Sequence, residues 1–258
     1  MNQSLAVVIS NEEVMPNVYL TWLRSPQIAR EASPGQFLMV RCGEDAEFPL
    51  RRPLSVHRSD GDRLAFLFMV VGKGTEWLAQ RRTGDSLDLL GTLGNGFSIQ
   101  PASRKLLLLS GGMGIAPLCF LAQQSIEQGL KATLVLAAAT AGQICPSHLL
   151  PHPTDTIVCT EDGTAGDKGL ITDIFPDFVG EADQIFACGP MPMYKAMTAQ
   201  KQLFRGKSVQ VSMEMRMGCG LGVCYGCTVK TGNGLKQVCQ DGPVFELDEI
   251  LWDELDCL

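Results

Sequence analysis

The sequence lacks three features that would each have marked a class of protein. It has no dense run of Lys or Arg: 21 basic residues stand against 28 acidic ones, for a formal net charge of −7. Phosphate backbones are held by clustered positive charge, so the composition argues against a nucleic-acid partner. The first residues, Met1-Asn2-Gln3-Ser4-Leu5, carry neither a basic nor a long apolar region, and no secretory leader is expected. The longest apolar stretch, Leu64 to Val71, is far shorter than the ~20 residues that span a bilayer. The expectation is a soluble cytoplasmic protein with no membrane partner. No internal repeat or low-complexity segment is present.

Cysteine, by contrast, is abundant, with ten in 258 residues. Cytosolic thiols are normally reduced, so a disulfide framework is not expected. Cys42, Cys119, Cys145, Cys159, Cys188 and Cys257 are scattered and read as ordinary buried thiols, Cys188 partly excepted. The other four are bunched as Cys219-x4-Cys224-x2-Cys227, with Cys239 eleven intervening residues later. This is the plant-type ferredoxin spacing of a 2Fe-2S cluster, two thiolates to each iron. Three ligands from one tight loop need small neighbours, and Gly218, Gly220, Gly222 and Gly226 supply them. Backbone N–H groups can then approach the sulfurs and tune the cluster. The competing reading is a structural zinc site, but that usually takes two C-x2-C pairs, and here Cys239 stands alone.

The remaining chain has three textures. Residues 1–100 hold short apolar runs (Leu5–Ile9, Val18–Leu23, Phe37–Arg41, Leu64–Val71, Leu87–Leu90) parted by turn residues, which predicts a small β-barrel. Residues 101–210 alternate strands at 105–109, 133–138, 156–160 and 184–188 with helices at about 116–128 and 191–201, which predicts a parallel sheet with crossovers. Residues 211–258 form a small cysteine- and glycine-rich tail. The fold class expected is therefore an N-terminal β-barrel, a parallel-sheet α/β domain and a C-terminal cluster domain.

Two glycine loops follow strands of the sheet. Gly111-Gly112-Met113-Gly114-Ile115-Ala116-Pro117 opens a helix and offers backbone N–H groups to a phosphate, with Pro117 suited to the first turn. Cys188-Gly189-Pro190 follows another strand, and two such loops at one sheet edge suit a nucleotide. Taken singly, either loop could merely close a strand–helix joint. In the barrel, Arg51-Arg52-Pro53-Leu54-Ser55 is one extended stretch, Val71-Gly72-Lys73-Gly74-Thr75 a flexible turn and Gly91–Phe97 another glycine-rich turn. Arg and backbone N–H groups converging there would suit a flavin pyrophosphate, though each could be only a loop.

This ordered set resembles the ferredoxin reductase-like superfamily, and within it the iron–sulfur electron-transfer subunits of dihydroorotate dehydrogenase. The matching pieces are Arg51–Ser55, Gly72–Thr75, Gly94-Asn95-Gly96-Phe97, Gly112–Pro117, Cys188-Gly189-Pro190 and the tail from Glu214 through Cys239 to Phe245. The resemblance implies that Arg52, Pro53, Leu54 and Ser55 hold FAD with Gly74 and Thr75, that Leu67, Phe68 and Met69 pass the flavin, and that Gly112, Gly114, Pro117, Cys188, Gly189 and Pro190 serve the NAD side. Leu54 stands where the superfamily often has an aromatic residue, and Met69 where a polar or basic one is common. Cys219, Cys224, Cys227 and Cys239 would hold the cluster.

The resemblance further implies a partner subunit with FMN that oxidises dihydroorotate to orotate, two of each subunit forming a heterotetramer. Electrons would pass through the cluster and FAD to NAD. No acid–base residue that acts on orotate can be placed in this chain. Other readings share the fold and differ in partner: a subunit of a hydrogenase, a sulfide dehydrogenase or a ferredoxin–NADP transhydrogenase, or a self-contained diaphorase. A zinc-stabilised binding module is the reading without redox chemistry. NAD is expected over NADP, because Glu161-Asp162-Gly163 follows the strand at 156–160 and no Arg lies between Lys131 and Arg205. A carboxylate there can bond ribose hydroxyls and repels a 2′-phosphate.

Overall fold

The computed structural model describes residues 2–43 and 48–255. Six antiparallel strands close a barrel: β1 (Asn2–Met15), β2 (Val18–Arg24), β3 (Phe37–Val40), β4 (Arg52–Asp60), β5 (Arg63–Met69) and β6 (Ser86–Leu93), in the order β1-β2-β5-β4-β3-β6. Strict alternation drives it. Along β6, Leu87, Leu89, Gly91 and Leu93 are buried while the residues between reach outward. Two short helices, α1 (Pro26–Glu31) and α2 (Lys73–Ala79), add Ile28, Ala29 and Leu78 to its core.

The second layer is a seven-stranded sheet of β7 (Lys105–Gly111), β8 (Lys131–Ala138), β9 (Asp155–Thr160), β10 (Asp167–Lys168), β11 (Gln184–Cys188), β12 (Val209–Ser212) and a final strand. Its central strands read as continuous apolar runs because both faces are covered: β11 is buried at all five positions. The helices are α3 (Ile115–Glu127), α4 (Ile171–Ile174), α5 (Pro176–Val179) and α6 (Met191–Ala199). Helix α3 is wedged between sheet and barrel, where His57 Nδ1 lies 2.9 Å from the Ala116 carbonyl and Arg58 Nε donates to Cys119 Sγ at 3.5 Å. The tail adds a hairpin, β13 (Thr228–Thr231) with β14 (Gly234–Gln237), and then β15 (Val244–Glu246). That last strand pairs antiparallel with β12 and closes the sheet's order as β10-β9-β8-β7-β11-β12-β15.

The structure corrects two loop expectations. Residues 71–75 are not a flexible turn; Lys73–Ala79 is helical, because the Thr75 hydroxyl accepts from the Val71 and Gly72 N–H groups (2.9 and 3.2 Å) and Leu78 is buried. Gly91–Leu93 continue β6 because Leu93 pairs with Phe37 and is buried. Cys42, Cys119, Cys145, Cys159 and Cys188 are buried as expected, and Cys257 lies outside the described residues.

Gly114 fixes how closely the turn after β7 approaches β11. A Cβ there would stand 1.8 Å from the Cys188 carbonyl oxygen, which is backbone and cannot swing away. Gly112 has φ +55° but open space around it. Gly114→Ala should therefore lower unfolding stability by roughly 3 kcal/mol or more, and Gly112→Ala by only about 1–2 kcal/mol. Urea denaturation of both variants checks this; equal midpoints would contradict the packing argument.

Candidate cofactor sites

The four clustered cysteines are brought together at the edge of the barrel. Each sulfur accepts a backbone N–H: Leu221 to Cys219 (3.3 Å), Gly226 to Cys224 (3.5 Å), Cys239 to Cys227 (3.4 Å) and Gly222 to Cys239 (3.1 Å). Cys219 and Cys224 share a side-chain hydrogen bond, as do Cys227 and Cys239. Among the described residues no three His, Cys, Asp or Glu side chains are grouped closely enough to hold one metal ion. Burial raises the Cys219 thiol, but N–H groups of the loop and the Cys224 thiol outweigh it and bring the pKa to about 7. Burial, then the Cys227 thiol beside it, holds Cys239 up at about 12. A thiol so placed yields its proton to a cation. The loop turns tightly at Gly222, with φ +76° and a Cβ position 2.0 Å from Gln240 Oε1.

This loop rests on the barrel. Phe37 and Met39 of β3 share one apolar core with Cys227, Cys239, Val229 and Val238. Pro53 and Ser55 of β4 lie opposite Met39 and Phe37 in the ladder, so they belong to that same outward face. Arg52 and Leu54 belong to the other face. The Arg52 guanidinium covers Gly74, where a Cβ would stand 2.9 Å from Nε, and Leu54 packs on the barrel core. Arg52 and Gly74, far apart in sequence, thus meet. The Thr75 hydroxyl is spent capping α2, which leaves its backbone to contact a ligand. Leu67 and Phe68 are core side chains, and only Met69 of that trio opens to a cleft.

That cleft, of about 760 Å³, runs along the C-terminal ends of the parallel strands. Gly112, Gly189 and Pro190 line it. The two glycine loops abut, since a Cβ on Gly111 would lie 2.9 Å from Pro190 Cδ. Gly114, Pro117 and Cys188 do not line it; they are buried packing residues beneath. Burial pushes the Cys188 thiol well above its ordinary range, so it is an inert thiol. Of the acidic turn, Glu161 lines the cleft, whereas Asp162 accepts from the Thr164 N–H (2.9 Å) and hydroxyl (2.6 Å). Those bonds lower the Asp162 pKa. The β1–β2 turn, Met15-Pro16-Asn17-Val18, also lines the cleft, as does Glu214, whose pKa is raised by desolvation. Sequence reasoning did not single out that turn; its local signal is Pro16-Asn17, a pair that favours a turn, and Asn17 takes the left-handed region at φ +61°.

Residues 214–251 match the model of the iron-sulfur cluster binding domain of dihydroorotate dehydrogenase B. A solved chain of the NADH-dependent reduced ferredoxin-NADP oxidoreductase superposes with a TM-score of 0.87 at 33% identity, over 98% of this chain and 91% of that one. The Neisseria gonorrhoeae ferredoxin NADP+ reductase, with bound FAD and NADP, shares the fold alone: TM-score 0.65 and 20% identity, over 83% of this chain and 100% of that one. The dihydroorotate dehydrogenase B (NAD(+)) electron transfer subunit of Geobacillus sp. (strain WCH70) is 36% identical, over 97% of this chain and 99% of its own. The Bacillus mycoides (strain KBAB4) subunit of the same name is 33% identical, again over 97% and 99%. At that identity across nearly the full length of both chains, this protein belongs to the family of dihydroorotate dehydrogenase B electron transfer subunits.

Proposed function

We propose that this chain carries electrons from an FMN-containing dihydroorotate dehydrogenase subunit, two of each forming a heterotetramer, to NAD+. The observation that carries the reading is the seat of the cysteine loop on the same barrel face as Pro53 and Ser55. A cysteine-bound cluster on β3 and a flavin held at Pro53 and Ser55 of β4 would be neighbours on adjacent strands of the barrel. When bound, the cluster holds single electrons and FAD exchanges both single electrons and a hydride, which joins a one-electron donor to NAD+. In this reading residues 1–100 serve FAD, 101–210 serve NAD and 211–258 the cluster.

The chain's own residues have separate tasks. Cys219, Cys224, Cys227 and Cys239 hold the irons. Arg52, held over Gly74, balances flavin phosphate charge; Pro53, Leu54, Ser55, Thr75 and the strand Leu67-Phe68-Met69 frame the flavin, largely through backbone. Gly112 presents its N–H, and Gly189 and Pro190 an open surface, to the NAD pyrophosphate, with Gly114, Pro117 and Cys188 supporting them from below. Around the exposed Cys224 stand exposed Val223, Tyr225 and Leu221, an apolar rim suited to the catalytic subunit. No helix among the described residues is long and apolar enough to cross a membrane.

The test is reconstitution with the FMN subunit and assay of dihydroorotate-dependent NAD+ reduction. NAD+ should show the higher kcat/KM against NADP+, since Glu161 lines the cleft and no cation does. The 33% identity to the ferredoxin-NADP oxidoreductase chain favours a second reading with a different donor; no orotate formation with ready reduction by a ferredoxin would select it.

Two variants test the cofactor residues. Cys239→Ala should abolish the iron–sulfur absorbance, and Cys119→Ala should leave it intact; a normal visible spectrum in Cys239→Ala would exclude that ligand. Arg52→Ala should weaken FAD binding roughly ten- to hundredfold, the worth of a charge-assisted hydrogen bond, as read by flavin fluorescence titration. Undiminished affinity would count against the Arg52 assignment.

A further inference from the structure

The cleft is polarised along its length. Glu161 follows β9 and Glu214 follows β12, both carboxylates line it, and no Lys, Arg or His is among its lining residues. In the order β9-β8-β7-β11-β12 these strands stand four positions apart, about 19 Å at the usual ~4.8 Å strand spacing. The turn Gly112-Met113 follows β7, the middle strand of the five, and so lies midway between the acids. The two ends are not equivalent. The β12 side joins the barrel: Asn95 bridges to Pro243, and Gly35 abuts Val244 of β15. The β9 side runs out to the free edge at β10.

On the reading that NAD occupies this cleft, a pyrophosphate on the central turn puts the redox ring at the barrel end and the adenosine at the β9 end. We propose that Glu214 makes the cleft select the oxidised nicotinamide, whose ring carries a positive charge, over the reduced ring, which is neutral. Ring charge is the electrostatic difference between the two forms at that end of the molecule. A carboxylate there attracts one form and has no net charge to attract in the other. Glu161 meets the adenosine half, which is the same in both forms, and gives no such selection.

Glu214 is held for this task. The Tyr194 hydroxyl donates to the Ser212 carbonyl at 2.7 Å and accepts the Gly189 N–H at 2.9 Å, tying the end of β12 to the loop after β11. The Met213 N–H donates to the Pro243 carbonyl at 2.9 Å. The carboxylate therefore leaves a strand end tethered on both sides. With no cation in the cleft, desolvation raises its pKa, and a cationic ring is the partner it lacks. The consequence for turnover is that reduction of the ring removes an attraction, so the product is released more easily than the substrate.

The test is calorimetric titration of the oxidised, fully loaded complex with NAD+ and with tetrahydro-NAD, a neutral analogue that cannot transfer hydride. Wild type should bind NAD+ more tightly. Glu214→Gln should cut the ratio of the two affinities about tenfold, allowing for solvent in the cleft, by weakening NAD+ alone. Glu214→Lys should cut it further, and Glu161→Gln should leave it unchanged. A wild-type ratio in Glu214→Gln, an equal loss of both ligands, or an equal shift in Glu161→Gln would overturn the proposal. A wild-type complex that binds neither ligand would overturn the NAD reading beneath it.

Discussion

The cysteine loop can lie on the barrel because residue 220 has no side chain. A Cβ at Gly220 would stand 2.5 Å from Met39 Cγ and 3.4 Å from Leu93 Cδ1, and its φ of +72° is one that L side chains rarely adopt. With hydrogen alone at that position, the loop sinks onto β3 and β6. The cysteines then join the apolar core of Phe37 and Met39. Residues 213–243 leave the sheet beside the barrel and return to it there, which brings Glu214 to the barrel end of the cleft. An electron path between two carriers depends first on separation, so one absent methyl group governs more here than any single hydrogen bond.

Much of this architecture was legible in sequence, for physical reasons that differ between elements. The cysteine spacing could be read because two irons constrain loop length far more tightly than folding does. The central strands could be read because burial on both faces leaves a run such as Leu106–Leu109. Strand β1 could be read only in part. Its span Ser10–Glu13 is polar, and it is held extended by its ladder with β2 and by the Asn11 amide, which donates to the Leu78, Ala79 and Arg81 carbonyls at 3.0 Å, rather than by its own composition. Helix α2 was hidden by Gly74, which disfavours helix; burial of Leu78 and the stacking of Arg81 on Trp77, 3.9 Å from the ring centroid, overrule that preference.

The candidate site was legible in its residue types and less so in its roles. Gly112 and Gly114 look alike in a motif, yet one opens to the cleft and the other is pressed on a carbonyl. Glu161 and Asp162 look alike as a charged turn, yet Thr164 and the turn itself consume the aspartate and leave the glutamate to the cleft. Such pairs are separated by direction, which sequence carries only where a regular period is present. The β1–β2 turn enters the cleft through closure of the barrel, a long-range event; Pro16-Asn17 marks a turn locally and carries no sign of where it will lie.

Strand β15 has a consequence for assembly. Ser212 at the end of β12 is the ladder partner of Val244 at the start of β15. The whole iron-bearing excursion therefore begins and ends at one rung of the sheet. The excursion is fastened between those strands as well: the Asn95 N–H donates to the Gly242 carbonyl at 2.6 Å and the Asn95 side-chain amide to the Asp241 carbonyl at 2.9 Å, while the Leu251 N–H donates to the Lys230 carbonyl and the Gly232 N–H to that of Glu249. Lifting the cysteine segment away would expose the Phe37 and Met39 core as well as the sulfurs, so segment and barrel open together as one cooperative unit.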